Sequence, residues 1–343
     1  MIPAHDWNAL GICCPRCLQA LAPDGPQVLC CRSCAAVFPV HFGIPDLRTG
    51  EDPYLSRAAD VAAATALHDR AERMDFRTLL VSYYETNDKV PPAQVAMFTH
   101  GTIAAADRAA TTLSAWLRQD ADVRRWLAND DVVLDIGCGT GPLAIAAAHA
   151  GFRAIGVDVG LRWLILARKR AAEAGVNVTF VCANAEALPF RDGLASRAGG
   201  ESIIENAADP ERALREVARV LRRGGRLWLT TPNKHSLGPD PHLGVMAAGW
   251  WPEEWLKRHA ARSGKVFPRR TLFSRGALRR ALSEAGFAQI AIALPDFAPA
   301  QIQSQPLAIR TAIAGYQVAK RMPVAGSLLR VVAPTYLVTA TRT

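Results

Sequence analysis

From Val132 to Thr231 the chain alternates short apolar runs with stretches in which apolar positions recur every three or four residues. Val132–Ile136, Arg153–Val157, Asn177–Val181 and Leu227–Thr231 read as strands, and Leu143–Ala150 and the stripe Leu214, Val217, Val220, Leu221 read as helices. Strand following helix in this way predicts an α/β fold with a parallel sheet, helices on both faces and a ligand site at the carboxyl ends of the strands. Further on, Ala277–Ala285 reads as a helix, with Ala288–Leu294 and Tyr336–Arg342 as the sixth and last strands. Leu194–Ile204 should supply the fourth, but Ala195-Ser196 and Ala198-Gly199-Gly200 are poor strand formers and predict a short or irregular one.

The first strand ends in Asp135 and breaks into Gly137-Cys138-Gly139-Thr140-Gly141, after which Pro142 suits the first position of a helix. A dinucleotide fingerprint would want its third glycine where Pro142 stands. The spacing Gly-x-Gly-x-Gly resembles instead the first motif of class I S-adenosylmethionine-dependent methyltransferases; taken alone, the turn also fits another kind of nucleotide-binding protein. Asp158 ends the second strand, and a carboxylate roughly 20 residues past the glycines can accept from both ribose hydroxyls. Cys182 to Phe190 resembles the family's adenine-contacting loop, with Asn184 where relatives usually carry Asp. Asp209-Pro210-Glu211 through Arg226 resembles the family's helix, glycine turn and fifth strand, with Asp209 as N-cap and Gly224 after the last helical turn.

The resemblance implies a Rossmann-like class I methyltransferase fold with a seven-stranded sheet. It also implies a cofactor, S-adenosyl-L-methionine, held by Asp135, Gly137, Cys138, Gly139 and Gly141 at its methionyl part, by Asp158 at the ribose and by Asn184 and Ala185 at the adenine, with Val159 among the cofactor-binding residues. His235, His242 and Glu254 are candidates to deprotonate an acceptor. Asn206 stands where many relatives have His, which puts a base there in doubt.

Six of the eight cysteines fall between Cys13 and Cys34. Cys14-Pro-Arg-Cys17 and Cys31-Arg-Ser-Cys34 are two knuckles that can close a tetrahedron around a structural Zn²⁺, although Cys13 or Cys30 could replace a neighbour. Val37 to Leu47 resembles the closing segment of zinc ribbons that partner or are fused to methyltransferases, with His41 a surface or packing residue rather than a fifth ligand. A module of this size depends on its ion for folding. The expected organisation is a zinc ribbon over 1–50, a helical linker and cap over 51–128, and a methyltransferase domain over 129–343 with insertions at about 232–265 and 297–334. Within the cap, Tyr83, Tyr84, Phe98 and His100 are candidates for one wall of the acceptor pocket.

Length and charge refine this picture. The 343 residues, half of them hydrophobic, can bury a sizeable core. Met1–Leu10 lacks the pattern of a secretory leader and no apolar run reaches membrane-spanning length, so a cytoplasmic protein is expected. The net charge is +9, and Leu256–Ser283 holds nine Lys or Arg residues with no acid. Such a face suits RNA phosphates, anionic lipid or a phosphorylated substrate, or is simply solvated. Few aromatics interrupt it, which weighs against RNA. Leu307–Val332 combines apolar repeats with Arg310, Lys320, Arg321 and Arg330, a pattern that fits peripheral contact with an anionic membrane at its inner face, or the cap of an apolar pocket. The expected acceptor is a small-molecule or lipid-linked compound of secondary or cell-envelope metabolism. The alternatives are an RNA methyltransferase and a cofactor-binding non-catalytic partner protein.

Overall fold

The computed structural model describes residues 7–52, 55–87, 90, 92–118, 131–240, 242–265, 267, 270–296, 302 and 307–343. The expected cap beyond Arg118 and most of the 297–334 insertion ahead of Leu307 lie outside them. The chain divides into two compact units, Met1–Gly200 with Arg215–Arg226, and Glu201–Leu214 with Leu227–Thr343.

The first unit opens with a four-stranded antiparallel sheet, β1 (Ala22–Pro23), β2 (Val28–Cys30), β3 (Val37–His41) and β4 (Ile44–Pro45), in that spatial order. Phe42 and Gly43, both at positive φ, turn β3 into β4 so that His41 faces Ile44. Helix α1 (Arg57–Ala71) is capped by Ser56, and α2 (Phe76–Glu85) by Asp75, whose carboxylate accepts from Thr78 N at 2.7 Å. Helix α3 spans Pro92–Arg118. Parallel strands follow: β5 (Val132–Ile136), β6 (Arg153–Asp158) and β7 (Val178–Cys182), with α4 (Pro142–His149) and α5 (Leu161–Glu173) between them. Leu67, Leu79 and Leu80 of the leading helices share one core with Leu161, Leu164 and Ile165 of α5. Burying such side chains contributes about 1.5–3 kcal/mol each, which fastens the cap to the helix that follows Asp158.

The fourth strand departs from expectation. β8 (Ala195–Glu201) runs for seven residues, six of them buried, and pairs in regular parallel register with β5, Val133 opposite Arg197 and Asp135 opposite Gly199. Ladder hydrogen bonds and burial of a central strand outweigh the weak propensity of its small residues. Its bulk comes from Arg197, fully buried, whose guanidinium lies 5.5 Å from the Phe152 ring centroid.

Helix α6 (Pro210–Val220) leads directly into β9 (Leu221–Pro232), so Gly224 lies within the strand segment rather than closing the helix. Asp209 does cap α6, accepting from Arg212 N at 2.9 Å. The second unit also holds α7 (Glu253–Arg262), α8 (Arg275–Glu284), β10 (Phe287–Ala293), α9 (Leu307–Ala319), α10 (Pro323–Val332) and β11 (Thr335–Arg342). β10 and β11 pair antiparallel, with a register shift between Ala288 and Ala291. The segment after β9 runs through turns to α7 and with it builds a small core of Leu243, Ala248, Leu256 and Ala260. In spatial order the seven strands run β10-β11-β9-β8-β5-β6-β7, the mixed Rossmann-like sheet that the resemblance implies.

Candidate functional site

The glycine turn is shaped by backbone that few side chains tolerate: Gly137, Gly139 and Gly141 have φ of 63°, 50° and 72°. A Cβ at Gly141 would press on Ala167 and the Phe180 ring at 3.3 Å, whereas one at Gly139 would meet nothing within 4 Å. The turn is therefore packed from beneath at Gly141 and open at Gly139. Asp135 is buried, and its carboxylate accepts from Ala144 N at 2.9 Å, supplying the side-chain bond that Gly141 cannot give to the start of α4. Cys138 is buried, and burial pushes its thiol well up, so it is a neutral packing group.

Asp158 lies against the same turn. One carboxylate oxygen accepts from Gly139 N and the other from Gly160 N, both at 2.8 Å. Each oxygen can accept again, which leaves capacity for two hydroxyls. Burial raises its pKa, and the two backbone donors pull the other way without cancelling the rise. The neighbouring Val159 carbonyl accepts from Arg48 Nη1 at 3.0 Å.

Beyond β7, Asn184 precedes a short 3₁₀ turn, Ala185–Ala187. Its Oδ1 accepts from both Thr49 N and Gly50 N at 3.0 Å, so both oxygen lone pairs are engaged and Nδ2 is the group with donor capacity. The N-terminal segment holds this loop at both ends. Cys13 N donates to Pro189 O at 2.8 Å, Arg191 N to Gly11 O at 3.0 Å, and Leu47 N reaches Cys182 O at 2.8 Å.

Sequence reasoning missed the charged cluster behind these loops. Arg48 pairs with Asp46 at 2.6 Å and Asp60 at 2.8 Å, and Arg162 pairs with Asp60 at 2.6 Å and Asp52 at 2.7 Å. All five side chains are buried, including Asp52 in the stretch expected to be a linker. Asp60 also accepts from Leu161 N at 2.8 Å and Arg162 N at 3.3 Å, capping α5 from another helix where Gly160 offers no side chain. The signal was present as three acids and an arginine within 15 positions, but their partner at position 162 is far along the chain. Tyr83 and Tyr84 are buried. Arg162 Nε donates to Tyr83 Oη, and Tyr84 Oη lies 3.0 Å from Thr102 Oγ1. Phe98 stacks on Tyr84, and both Phe98 and His100 are exposed.

His235, His242 and Glu254 all lie in the second unit, and no hydrogen bond or ion pair joins them among the described residues. The His235 ring lies 5.0 Å from that of Trp250. His242 is exposed at its surface, and partial loss of solvation lowers its pKa, which keeps the imidazole neutral at physiological pH. Glu254 is exposed and bound to Lys257 at 2.9 Å, which lowers its pKa. Glu205 was overlooked by sequence reasoning. It is buried just after β8 and accepts from Thr231 Oγ1 at 3.1 Å, and burial raises its pKa. Its signal was a single acid in the apolar context Ile203-Ile204-Glu205. Asn206 donates from Nδ2 to Ser202 O at 2.8 Å.

The Sγ atoms of Cys14, Cys17, Cys31 and Cys34 lie within 4.8 Å of one another, with Cys14 and Cys34 at 3.6 Å and Cys17 and Cys31 at 3.4 Å. A tetrahedral ion with metal–sulfur bonds of ~2.3 Å sets sulfurs about 3.8 Å apart, so these four fit a structural metal. The two-residue spacing is the one that assembles. Cys13 is buried outside the group, and Cys30 Sγ faces Asp24.

Comparison with known proteins gives this arrangement its family context. Residues 134–229 match the family model described as a methyltransferase domain. Over these residues the chain is similar to a methyltransferase domain. This domain and its surroundings are 35% identical over 175 residues to a ubiquinone/menaquinone biosynthesis C-methyltransferase of Methylobacterium nodulans, covering 46% of this chain and 66% of that protein. A ubiquinone biosynthesis O-methyltransferase of Serratia proteamaculans is 33% identical over 111 residues, 31% of this chain and 45% of the relative. The chain thus spans about half the length of the curated relatives it matches. An S-adenosylmethionine-dependent methyltransferase structure from Mesorhizobium loti aligns at 23% identity and TM-score 0.42, covering 66% of this chain and all of that one.

Proposed function

We propose that the protein is an S-adenosylmethionine-dependent methyltransferase acting on a small-molecule or lipid-linked acceptor. One observation carries the reading: a carboxylate, Asp158, is hydrogen-bonded to the open glycine of a methyltransferase-domain turn. The bound donor supplies a methyl group on a sulfonium, already activated for in-line displacement. The residues of the chain do the rest. Asp158 accepts from the ribose hydroxyls, the turn from Asp135 through Gly141 holds the methionyl part, and Val159 lines the sugar. Asn184 offers Nδ2 and Ala185 its N–H to the adenine ring. Alignment and exclusion of water account for most of the rate in such a transfer.

His242, His235 and Glu254 remain proposals for the acceptor base. The relatives named for ubiquinone and menaquinone biosynthesis support a small-molecule acceptor over RNA. Zn²⁺ in the four-cysteine group is proposed as a structural ion and the cytoplasm as the compartment. Titration calorimetry tests the donor site: S-adenosylmethionine should bind, Asp158→Ala should weaken it at least tenfold, and a nicotinamide dinucleotide should not bind. Binding of the dinucleotide in place of the sulfonium would overturn the reading. Mass spectrometry of metabolites methylated only in the presence of the protein identifies the acceptor.

A further inference from the structure

Helix α10 is apolar on two sides. Gly326 is buried and Leu329 and Val332 are part-buried on one side, while Val324, Leu328 and Val331 form a stripe at i, i+4 and i+7 that is 75%, 62% and 48% exposed. The buried side accounts for how the helix packs. The exposed side faces water with branched side chains, which a helix of a soluble unit normally avoids.

The stripe does not stand alone. Val331 O accepts from Asn233 Nδ2 and Val332 O from Leu237 N, which brings the exposed Leu237 beside the helix end. In the same loop His235 O accepts from Trp250 Nε1 at 3.0 Å, and the Trp250 ring is 57% exposed. Before α10, Val318 and Met322 are exposed as well. An indole with its N–H satisfied and its ring in solvent, next to exposed aliphatic side chains, is the composition found where protein meets the headgroup region of a bilayer.

Charge selects the partner. Residues 297–343 contain no Asp or Glu, while Arg310, Lys320, Arg321 and Arg330 lie in or beside α9 and α10. Arg321 and Arg330 are exposed, and Lys320 is bound to Asp296. Glu253 and Glu254 at the start of α7 pair with Lys257, so the positive charge of this face comes from α9 and α10. Aliphatic side chains give nucleic-acid bases no stacking surface, whereas an apolar stripe with arginines at its margin suits acyl chains beneath anionic headgroups.

We propose that α10, with Leu237 and Trp250, is a peripheral docking surface for an anionic lipid bilayer. The apolar stripe enters the interface and Arg321 and Arg330 meet the phosphates. This inference stands on the second unit alone and is independent of donor binding.

Co-sedimentation of the full-length protein with vesicles tests it. Vesicles of phosphatidylcholine containing about one third phosphatidylglycerol should bind the protein, and phosphatidylcholine alone should bind it far more weakly, since each basic residue near an anionic surface is worth roughly fivefold. Raising the salt should weaken binding. The double variant L328S/V331S should lose binding on the order of tenfold while keeping the wild-type melting temperature and S-adenosylmethionine affinity, and R321Q/R330Q should lose the preference for anionic vesicles. The proposal is overturned by equal binding to both vesicle types, or by unchanged binding of L328S/V331S. A concentration-dependent dimer dissolved by that variant, or an RNA gel shift abolished by it, would assign the face to another partner and also overturn it.

Discussion

Asp158 joins two properties that pull in opposite directions. Its carboxylate is half-buried and partly desolvated, so its pKa is raised, yet a ribose is best held by the ionised form. A carboxyl whose folded pKa exceeds the unfolded value takes up protons on folding. Its contribution to stability therefore declines as pH rises from the unfolded value of about 3.9 through the folded one, and is level above. Donor affinity should move the other way and weaken on acidification at a pH above the ordinary aspartate range. Calorimetry across pH would check this; affinity flat down to about pH 4 would contradict it. Asp60 has a different role, since it holds two arginines and two backbone N–H groups out of water. Asp60→Ala should cost about 3–5 kcal/mol in thermal or urea unfolding, with Asp60→Asn costing less because an oxygen remains for one of these donors.

The glycine turn and its Asp158 were legible as residues because three glycines and one acid at set intervals suit few local structures. Asp60, Arg48 and Asn184 were not. Their partners lie more than 100 positions away, apart from Asp46 and the Arg48–Asp60 pair itself, and no local pattern marks a side chain whose bonds form across the fold.

At the scale of elements, the most local features could be read best. Val132–Ile136 is a strand over the expected residues, and the helices starting at Pro142 and Pro210 begin where those prolines put them. The fourth strand was misread because its stability comes from neighbours on both sides, to which a propensity judgement is blind. The segment after β9 is irregular up to α7, and the small core of four residues spread over 243–260 forms by packing that no local periodicity marks. The four-cysteine group predicts its own experiment: one zinc per chain by metal analysis, and selective proteolysis within the first 50 residues after chelation or in Cys14→Ser with Cys31→Ser. Leu80→Ala, at a fully buried position of α2, should cost about 2–5 kcal/mol in unfolding.

At the scale of the molecule, the alternation of strand and helix announced the α/β architecture, whereas the division into two units follows long-range packing that sequence periodicity does not encode. Donor binding should register on the whole chain. At a concentration about 100 times its dissociation constant, a ligand adds roughly 2.7 kcal/mol to the folded state. Saturating S-adenosylmethionine should therefore raise the melting temperature by several degrees, and Asp158→Ala should suppress that rise.

The cap that Asp60 places on α5 has a consequence for anyone trimming the gene. A fragment cut back to the matched segment 134–229 would lose the acid that closes the helix and both acids facing Arg162, leaving a guanidinium stranded in a greasy wall. What looks in a domain diagram like a detachable preface is, atom for atom, part of the wall beside Asp158, and minimal versions of this protein should precipitate unless residues 46–60 travel with them.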